Sequence, residues 1–458
     1  MTCHNKSSPL IPFVVKGGIK MLNRVSERFS RVIQRYLPDA FVIAVLMTLF
    51  VFVLAFFTTP ADPANLFQSY GDGFWTYLAF TMQMVLLLMT GMVLASVPFV
   101  RKGLEAISAK ANTATKAYLF TFLISAAAYY INWGLAVVVG AIVAREVGKR
   151  NKNAHFPLLV ACAYAPTVLY TAGLSSSILL TIATEDHFLA DVMGVIPTSE
   201  TIFHPGTVII FFALLITIPI FILLMAPKKN IIPYTAKTEP PQAEVVTKED
   251  SNSPAIRLEN TPILGILIGL VGIVYVLLQF AKSVDLNLNL INILFLSLGL
   301  LFHRSLAQYG NAFKDAAGSI SPIILQFPFY AGIIALLGSS GLADTIIRGM
   351  TSISSAESFG VFTYWTAGLV NILAPSGGGQ WALQGPLQVP AGMELGADPA
   401  VIAMAVGWGD AWTNLIQPFW ALPILSIVGL HIRHIMGYCI LLSVWIGIVT
   451  SILIYFVY

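Results

Sequence analysis

Charged residues are scarce in this sequence. Asp, Glu, Lys and Arg make up only 10% of its 458 residues, whereas 57% are hydrophobic and the mean hydropathy is +0.80. A soluble domain averages about 25% charged residues, so this chain cannot surround a core with a water-exposed surface. Its long apolar runs are separated by short polar loops, a pattern typical of an all-α polytopic membrane protein.

Cysteine is also rare, and histidine is absent from the middle of the apolar runs. Cys3, Cys162 and Cys439 lie far apart without a CxxC pair, which argues against a metal site and a disulfide. The seven histidines, in loops or at the ends of runs, are His4, His155, His187, His204, His303, His431 and His434. A membrane-embedded hydrolase or transferase would need a buried nucleophile with a nearby base. We therefore predict neither an enzyme nor a resident cofactor.

The apolar runs predict helical spans along the whole chain. They cover residues 38–58, 76–98, 117–131, 132–148, 157–181, 205–226, 261–281, 287–302, 319–338, 359–374, 376–392, 400–424 and 434–457. Two adjacent pairs, 117–131 with 132–148 and 359–374 with 376–392, are too short to cross a hydrocarbon core of about 30 Å at about 1.5 Å per residue. We interpret each pair as a re-entrant helical hairpin that returns to its own side of the membrane.

The basic residues are distributed unevenly between these spans. With the N-terminus in the cytoplasm, 23 of the 25 Lys and Arg residues fall in cytoplasmic segments, and only Lys282 and Arg348 fall outside. The positive-inside rule predicts such a bias. Residues 1–36 are basic but lack an apolar core followed by a small-residue cleavage site, so we expect a cytoplasmic arm rather than a signal peptide.

One long polar stretch, rich in proline and mixed charges, divides the chain near its middle. The predicted organisation is a cytoplasmic N-terminal arm (1–36), a first transmembrane repeat (37–226), a cytoplasmic linker (227–260) and a second transmembrane repeat (261–458). Each repeat contains a hairpin with an asparagine near its tip, Asn132 or Asn371, and then a span broken in mid-course. Because the hairpins enter from opposite sides in the predicted topology, we predict an inverted-repeat secondary transporter with two broken transmembrane helices.

Glycine, proline and amide residues interrupt the apolar runs at 131–177 and 370–418. A bilayer offers no water to backbone groups, so broken helix is tolerated only where it is buried or lines a cavity. Paired breaks of this kind mark the binding site of a secondary transporter. We expect substrate contacts from Asn132, Trp133, Gly134, Ser175, Ser176, Asn371, Ser376, Gly377, Gly378, Trp381, Trp412, Asn414 and Gln417.

Asp410 is the only acidic residue that the predicted spans place inside the membrane. Placing a carboxyl group inside the bilayer costs free energy, so a residue of this kind usually has a function. We therefore predict ion coupling at Asp410, together with Asn132 and Asn371. The alternative is a structural aspartate bonded to nearby backbone, with the serines serving only helix packing. Since no run contains a basic residue at its middle, an anionic substrate would depend on helix N-termini and on amide or hydroxyl donors.

Several longer stretches carry a resemblance to a known family. They include Ile131-Asn132-Trp133-Gly134, Gln326-Phe327-Pro328-Phe329-Tyr330-Ala331-Gly332-Ile333, Pro375-Ser376-Gly377-Gly378-Gly379 and Gln417-Pro418-Phe419-Trp420-Ala421-Leu422-Pro423. With these, the chain after about residue 20 resembles the bacterial short-chain fatty acid transporter family over nearly its whole length. The resemblance places it in a wider superfamily of inverted-repeat, often dimeric ion-transporter proteins with paired re-entrant hairpins.

The resemblance implies a cation-coupled symporter for short-chain monocarboxylates such as acetoacetate or butyrate. We expect a multi-pass protein in the lipid bilayer of the bacterial cytoplasmic (inner) membrane, with its N-terminus inside. A homodimer is possible, and no nucleic-acid partner is expected. The superfamily's dicarboxylate carriers have Ser-Asn-Thr at their hairpin tips, whereas the tips here read Ile131-Asn132-Trp133 and Val370-Asn371-Ile372. Coupling to Na⁺ and coupling to H⁺ therefore both stay open, and a carrier for another small organic anion, such as a dicarboxylate, is the alternative.

Overall fold

The computed structural model is all-α in the part of the chain that it describes. The described residues are 38, 40–227, 230–235, 253–303, 305–373 and 375–458. The predicted cytoplasmic arm, residues 1–36, lies outside them, and so does most of the predicted linker.

Ten α-helices lie within residues 40–227. They are α1 (Ala40–Thr58), α2 (Pro63–Gly73), α3 (Leu78–Ala95), α4 (Pro98–Ser108), α5 (Ala114–Ile131), α6 (Trp133–Arg150), α7 (Phe156–Tyr164), α8 (Leu179–Ile182), α9 (Ala190–Met193) and α10 (Pro205–Met225). A 3₁₀ helix, Ala165–Ala172, directly follows α7, and a shorter one spans Thr198–Glu200.

Eleven α-helices lie within the described residues from 253 onward. They are α11 (Pro254–Asn260), α12 (Pro262–Ala281), α13 (Leu288–Phe302), α14 (Leu306–Ala316), α15 (Ser321–Ser340), α16 (Leu342–Ser352), α17 (Ala356–Leu373), α18 (Gly377–Glu394), α19 (Pro399–Asn414), α20 (Pro418–Val428) and α21 (Met436–Val457). Short 3₁₀ helices occupy Ala317–Ser319 and Ile432–His434.

Six segments of the described chain are long and apolar enough to cross a bilayer. They are Phe41–Thr58, Pro63–Ala95, Pro205–Met225, Pro262–Ala281, Ser321–Ser340 and Met436–Val457. Their outward faces are rich in exposed large hydrophobic side chains, for instance Leu224 at 71% and Val271 at 63%. In water such a surface would be unstable, whereas in lipid it is the expected one.

The first predicted hairpin is formed by α5 and α6, which pack against each other. Each arm has 18 residues, or about 27 Å at 1.5 Å per residue, and so is longer than its predicted span. Asn132 makes the turn in an extended conformation, with φ −159° and ψ 127°. Lys149 and Arg150 lie in the last turn of α6, where the helix dipole stabilises positive charge.

The second predicted hairpin is formed by α17 and α18, and side-chain hydrogen bonds join its arms. The Thr363 hydroxyl donates to Gln388 Oε1 at 3.0 Å, and nearer the tip Gln380 Nε2 donates to the Ala367 carbonyl at 2.8 Å. The residue numbers rise on α17 and fall on α18 from the first of these pairs to the second, so the two arms are antiparallel. Amides and hydroxyls therefore hold together two arms that face each other inside an apolar protein.

Both predicted broken helices are broken in the structure. The first runs through α7 and its 3₁₀ continuation and resumes as α8, with non-helical residues 173–178 between them. A Cβ on Gly173 would lie 2.5 Å from the Tyr130 carbonyl oxygen, so only glycine permits this approach to the first hairpin. The second break, residues 415–417, separates α19 from α20.

The hairpins and the broken helices meet in one central bundle. Helix α6 contacts α3, α7 and α20, while α18 contacts α15 and α19. Helix α19 also packs on α17 and on the 3₁₀ helix that continues α7. The tips of both hairpins thus lie among helices from both halves of the chain.

The apolar runs did not predict four helices of 11 residues each, namely α2, α4, α14 and α16. These segments are amphipathic, with polar and charged residues on one face, so their mean hydropathy is too low for a span. The predicted linker, 227–260, likewise ends in the helix α11. At its start, the amide of Phe156 donates to the Ile232 carbonyl at 2.8 Å, so residues 230–235 return to the base of α7.

Candidate functional site

Asp410 lies in α19 and is fully buried. Its Oδ2 accepts hydrogen bonds from the Tyr170 hydroxyl and, at 3.3 Å, from Asn414 Nδ2. Its Oδ1 has no hydrogen-bond partner among the described residues. A buried ionised carboxylate is stable only when a charge or several donors compensate it, and here one oxygen is left for such a partner.

Asn371 connects the tip of the second hairpin to the same region of α19. Its Nδ2 lies within hydrogen-bond distance of the Asp410 carbonyl (2.9 Å), Thr413 Oγ1 (2.9 Å) and Asn414 Oδ1 (2.8 Å). Its Oδ1 is buried and has no partner in the described part of the chain. The side chain is therefore oriented by its amide nitrogen alone, and its oxygen is available to accept a hydrogen bond or to bind a cation.

Gln417 completes this tip from the break between α19 and α20. Its Nε2 donates to the carbonyls of Asn371 (3.2 Å) and Ile372 (2.8 Å). The last carbonyls of a helix have no partner within the helix, so an outside donor stabilises the end of α17 inside the membrane. Gln417 thus fixes the tip rather than facing a cavity.

The N-terminal turn of α18 approaches Asp410 closely. A Cβ on Gly377 would lie 2.3 Å from the Tyr170 hydroxyl oxygen and 3.2 Å from Asp410 Oδ2, so a larger residue would displace one of them. Ser376 is the N-cap and accepts from the Gly379 amide at 3.4 Å. The first amides of a helix have no partners within it, so this turn presents N–H groups beside the carboxyl.

The tip of the first hairpin has a different chemistry. Asn132 is fully buried, its Oδ1 accepts from the Leu135 amide at 2.9 Å, and its Nδ2 donates to the Leu87 carbonyl at 3.1 Å. A Cβ on Gly91 would lie 1.8 Å from Asn132 Oδ1, so the side chain fits directly against α3. Each polar atom of this asparagine has a partner, which makes it a helix cap rather than an open ligand.

Two adjoining cavities lie between the hairpin tips. An inner chamber of about 30 Å³ is bounded by Tyr170, Ser177, Gly377, Asn414 and further residues of the first broken helix and α3. An outer vestibule of about 240 Å³ is lined mainly by apolar side chains and includes the starts of α6 and α15. Both cavities share Trp133, Val137, Ile323, Ser376 and Trp420, so they adjoin along these residues. Neither cavity has a Lys, Arg or His among its described lining residues.

Five of the residues predicted to contact substrate line these cavities. They are Trp133, Gly134, Ser376, Gly377 and Asn414. Others hold the tips in place: Ser175 Oγ accepts from the Trp133 amide at 2.9 Å, Ser176 Oγ accepts from the Leu179 amide at 3.4 Å, and Gly378 packs against Met84.

The remaining predicted residues face away from the cavities. Trp412 Nε1 donates to the Ser443 carbonyl at 2.7 Å, and its ring stacks on Tyr364, which places it between α17 and α21. Trp381 is fully buried in α18 and lines neither cavity. Trp381 and Trp412, which were predicted to contact substrate because they lie beside breaks, are therefore packing residues in this structure.

Sequence reasoning missed several lining residues, of which Tyr170 is the most important. It lies at the end of the 3₁₀ helix, inside the stretch recognised as broken, but its hydroxyl was not connected to Asp410. Tyr129, Thr167 and Ile323 were missed because nothing in their local sequence distinguishes them from core residues. Only the crossing of separate helices brings them to one chamber.

Two solved structures have the same fold. The YdaH transporter of Alcanivorax borkumensis matches with a TM-score of 0.57 and 15% identity, over 91% of this chain and 98% of that one. MtrF of Neisseria gonorrhoeae, described with a class of antimetabolite efflux pumps, matches with a TM-score of 0.54 and 14% identity, over 94% and 97%. At such identities the likeness shows the fold alone. The chain thus has the fold of a multi-pass membrane transporter, and the inverted relation of its halves stays a prediction.

Sequence comparison gives the family. A model of the short chain fatty acid transporter family matches residues 21–457. An Escherichia coli K12 protein and a Haemophilus influenzae protein, each named "Putative short-chain fatty acid transporter", are 37% and 36% identical to the chain. The first alignment covers 94% of this chain and 98% of the relative, and the second covers 92% and 96%. The chain belongs to the short-chain fatty acid transporter family and is a transporter rather than an enzyme.

Proposed function

We propose that this protein is an alternating-access carrier that moves short-chain monocarboxylates of the acetoacetate and butyrate type together with a cation. The observation that carries the proposal is the position of Asp410, whose carboxyl adjoins the N-terminal turn of α18, and Ser376 and Gly377 of that turn line the inner chamber. A donor-rich turn attracts an anion, and a buried carboxyl attracts a proton or a cation. Substrate and coupling ion would therefore bind side by side.

The substrate carboxylate would bind at the start of α18. Its ligands would be the free amides of Gly377 and Gly378 and the hydroxyls of Ser376 and Ser177, all at or beside the inner chamber. The positive end of a helix dipole stabilises an anion there without a basic side chain. This supports the prediction that backbone and hydroxyl groups, rather than a buried cation, hold the substrate.

The coupling follows from electrostatics. Two carboxylates about 4 Å apart repel each other by about 4 kcal/mol at an effective dielectric constant of 20, so substrate binding beside an ionised Asp410 is unfavourable. A proton on Asp410, or a cation between Asp410 Oδ1 and Asn371 Oδ1, would remove that repulsion. These are buried oxygens without partners among the described residues, and oxygen ligands suit hard cations. Each substrate anion would then bind together with one proton or one cation.

The apolar vestibule favours a monocarboxylate over the alternative, a dicarboxylate. A second carboxylate would extend into a space that has Leu88, Ile323 and Trp420 on its walls and no basic side chain among the described lining residues. Burial of an unpaired charge there is costly, whereas an alkyl tail is favourable at about 0.8 kcal/mol per methylene. Succinate should therefore compete poorly with butyrate.

Alternating access would require the far side of the inner chamber to open. We propose that an aromatic cluster next to the chamber residue Met84 closes that side: Phe188 lies 4.6 Å from Tyr77 and 5.3 Å from Phe80, measured between ring centroids, and Phe80 is held in turn by stacking on Phe327, which lines the vestibule. In the topology predicted from the basic residues, the vestibule opens toward the cytoplasm and this packing faces outside. We propose that this conformation faces inward, in the cytoplasmic membrane, with the halves related as inverted repeats.

The experiment is uptake of labelled butyrate into proteoliposomes under separately imposed proton and sodium gradients. A panel of C2–C6 carboxylates and succinate would serve as competitors, and liposomes without protein as the blank. Uptake driven by one of the two gradients, with competition by monocarboxylates but not by succinate, is the expected result. Equal competition by succinate and butyrate would favour the dicarboxylate carrier, and uptake indifferent to both gradients would refute the coupling.

A further inference from the structure

The inner chamber and the outer vestibule differ greatly in size. The chamber has a volume of about 30 Å³, and the vestibule has about 240 Å³. The chamber is thus large enough for a carboxylate group but not for a whole fatty acid anion. The polar donors lie at the chamber, so the tail of a bound fatty acid would have to extend into the vestibule.

Five residues line both cavities, and besides Ser376 at the start of α18 four of them have apolar side chains. Trp133, Val137, Ile323 and Trp420 line both spaces, and they come from α6, α15 and α20. The Trp133 and Trp420 rings form an edge-to-face pair with centroids 5.4 Å apart and an interplanar angle of 82°. We call these four residues the neck. A tail that extends from the chamber into the vestibule would pass beside them.

We infer that the neck selects the chain length of the transported carboxylate. This inference rests on the proposed function and adds which residues choose among monocarboxylates. Ile323 and Val137 are β-branched, and such side chains have few rotamers, so they set a fixed width opposite the tryptophan pair. The tail of a short acid held in the chamber would end beside these side chains, so their size decides whether further methylenes can be accommodated there. The neck rather than the carboxylate site would then distinguish butyrate from longer acids.

Two substitutions change the neck in opposite directions. Ile323→Ala shortens one wall and should admit longer tails, while Val137→Leu adds a methylene and should restrict them. In an apolar pocket, one methylene is worth about tenfold or more in discrimination. Ile209→Ala is a matched control, because Ile209 is 48% exposed on α10 and lines neither cavity.

The experiment measures how strongly C2, C4, C6 and C8 carboxylates inhibit uptake of labelled butyrate by each variant in proteoliposomes. Ile323→Ala should bind C6 and C8 at least about tenfold more strongly relative to butyrate than the unaltered protein does, and Val137→Leu should shift the preference toward C2. The control should keep the original profile. Unchanged profiles in both active neck variants would overturn the inference while leaving the proposed function intact.

The same data distinguish failure of the neck from failure of the function. If the unaltered protein takes up no carboxylate in the panel, the proposed function falls and the neck with it. If Ile323→Ala does not fold, the milder Val137→Leu variant decides alone, since a change of one methylene is usually tolerated in a partly open position. A shift of the Val137→Leu profile toward longer acids would also contradict the inference.

Discussion

The two hairpin tips carry the same residue but use it differently. Asn132 caps α6 and bonds the backbone of α3, so its Oδ1 and Nδ2 both have partners. The Asn371 side chain bonds only through its Nδ2, which donates to the Asp410 carbonyl, and its buried Oδ1 has no partner among the described residues. The side-chain hydrogen bonds of the first tip are complete, whereas the second tip keeps one buried amide oxygen without a partner.

The difference shows that the same residue at equivalent positions of two sequence repeats can make different hydrogen bonds. Both tips needed an asparagine beside broken backbone, because an amide can satisfy a helix end inside a membrane. Only the second tip lies against a buried carboxyl. The first tip therefore supports the fold around the cavity, and the second is the tip at which we propose ion coupling.

Replacing the carboxyl should have the largest effect. Asp410→Asn should reduce gradient-driven uptake of labelled butyrate to the level of liposomes without protein, because an amide cannot take up a proton and is a weaker cation ligand. Asp398→Asn is the matched control at the other end of the same helix, where Asp398 is the N-cap and asparagine caps equally well. Equal uptake by the two variants would show that Asp410 is purely structural.

Asn371→Ala should come next, with uptake reduced at least about tenfold, which corresponds to about 1.4 kcal/mol. The variant loses both the free oxygen and the bonds that orient the tip toward α19. Asn292→Ala makes the same change in α13, where Asn292 donates to the Gln83 carbonyl away from both cavities. Initial uptake rates at equal amounts of folded protein would test this, and similar losses in both variants would argue against a special role for Asn371.

Gly377→Ala should have a smaller effect of several-fold on the initial rate. The added methyl would lie 2.3 Å from the Tyr170 hydroxyl oxygen, so the bond between Tyr170 and Asp410 must lengthen or rearrange. Gly378→Ala is the neighbouring control, since its methyl would meet Met84 at 3.1 Å and the Phe80 ring at 3.2 Å and would leave the bond between Tyr170 and Asp410 untouched. A Gly378→Ala variant impaired as much as Gly377→Ala would indicate that glycine matters there for backbone packing alone.

Asn132→Ser should have the smallest effect on transport. Serine keeps an oxygen that can cap α6 but loses the hydrogen bond from Nδ2 to the Leu87 carbonyl, and the loss of one such bond costs about 0.5–1.5 kcal/mol. The midpoint of thermal unfolding should fall, whereas uptake per folded molecule should be retained. Thermal unfolding in detergent and uptake in proteoliposomes would be measured on the same preparation. Lost uptake at an unchanged midpoint would contradict the structural role.

The arrangement of helices along the chain was largely predictable. Apolar runs locate the spans because the bilayer demands continuous apolar helix. Glycine and proline only mark candidate breaks, because they weaken a helix without always ending it: the helices α15 and α18 continue through Pro328 and Pro386. The run from 400 to 424 contains both signals, and the structure breaks it at residues 415–417. Amphipathic helices such as α4 were missed because apolar and charged residues alternate along them and leave no long apolar run.

The candidate site was only partly predictable. Asp410 and Asn371 stand out in sequence because polar residues in apolar runs are costly. Tyr170 and Ile323 do not stand out, since tyrosine and isoleucine are ordinary core residues, and their roles depend on which helices cross. The difference between Asn132 and Asn371 was also hidden, because identical side chains acquire different partners from the backbone around them.

The most direct test makes the same substitution at both tips. Asn132→Ser and Asn371→Ser would be reconstituted side by side, and gradient-driven uptake of labelled butyrate would be measured per folded molecule. The predicted result is that Asn371→Ser loses most of its uptake while Asn132→Ser keeps it with a lower midpoint of unfolding. Equal loss at both tips, or a greater loss at Asn132, would contradict the assignment of the ion-coupling site to the second hairpin.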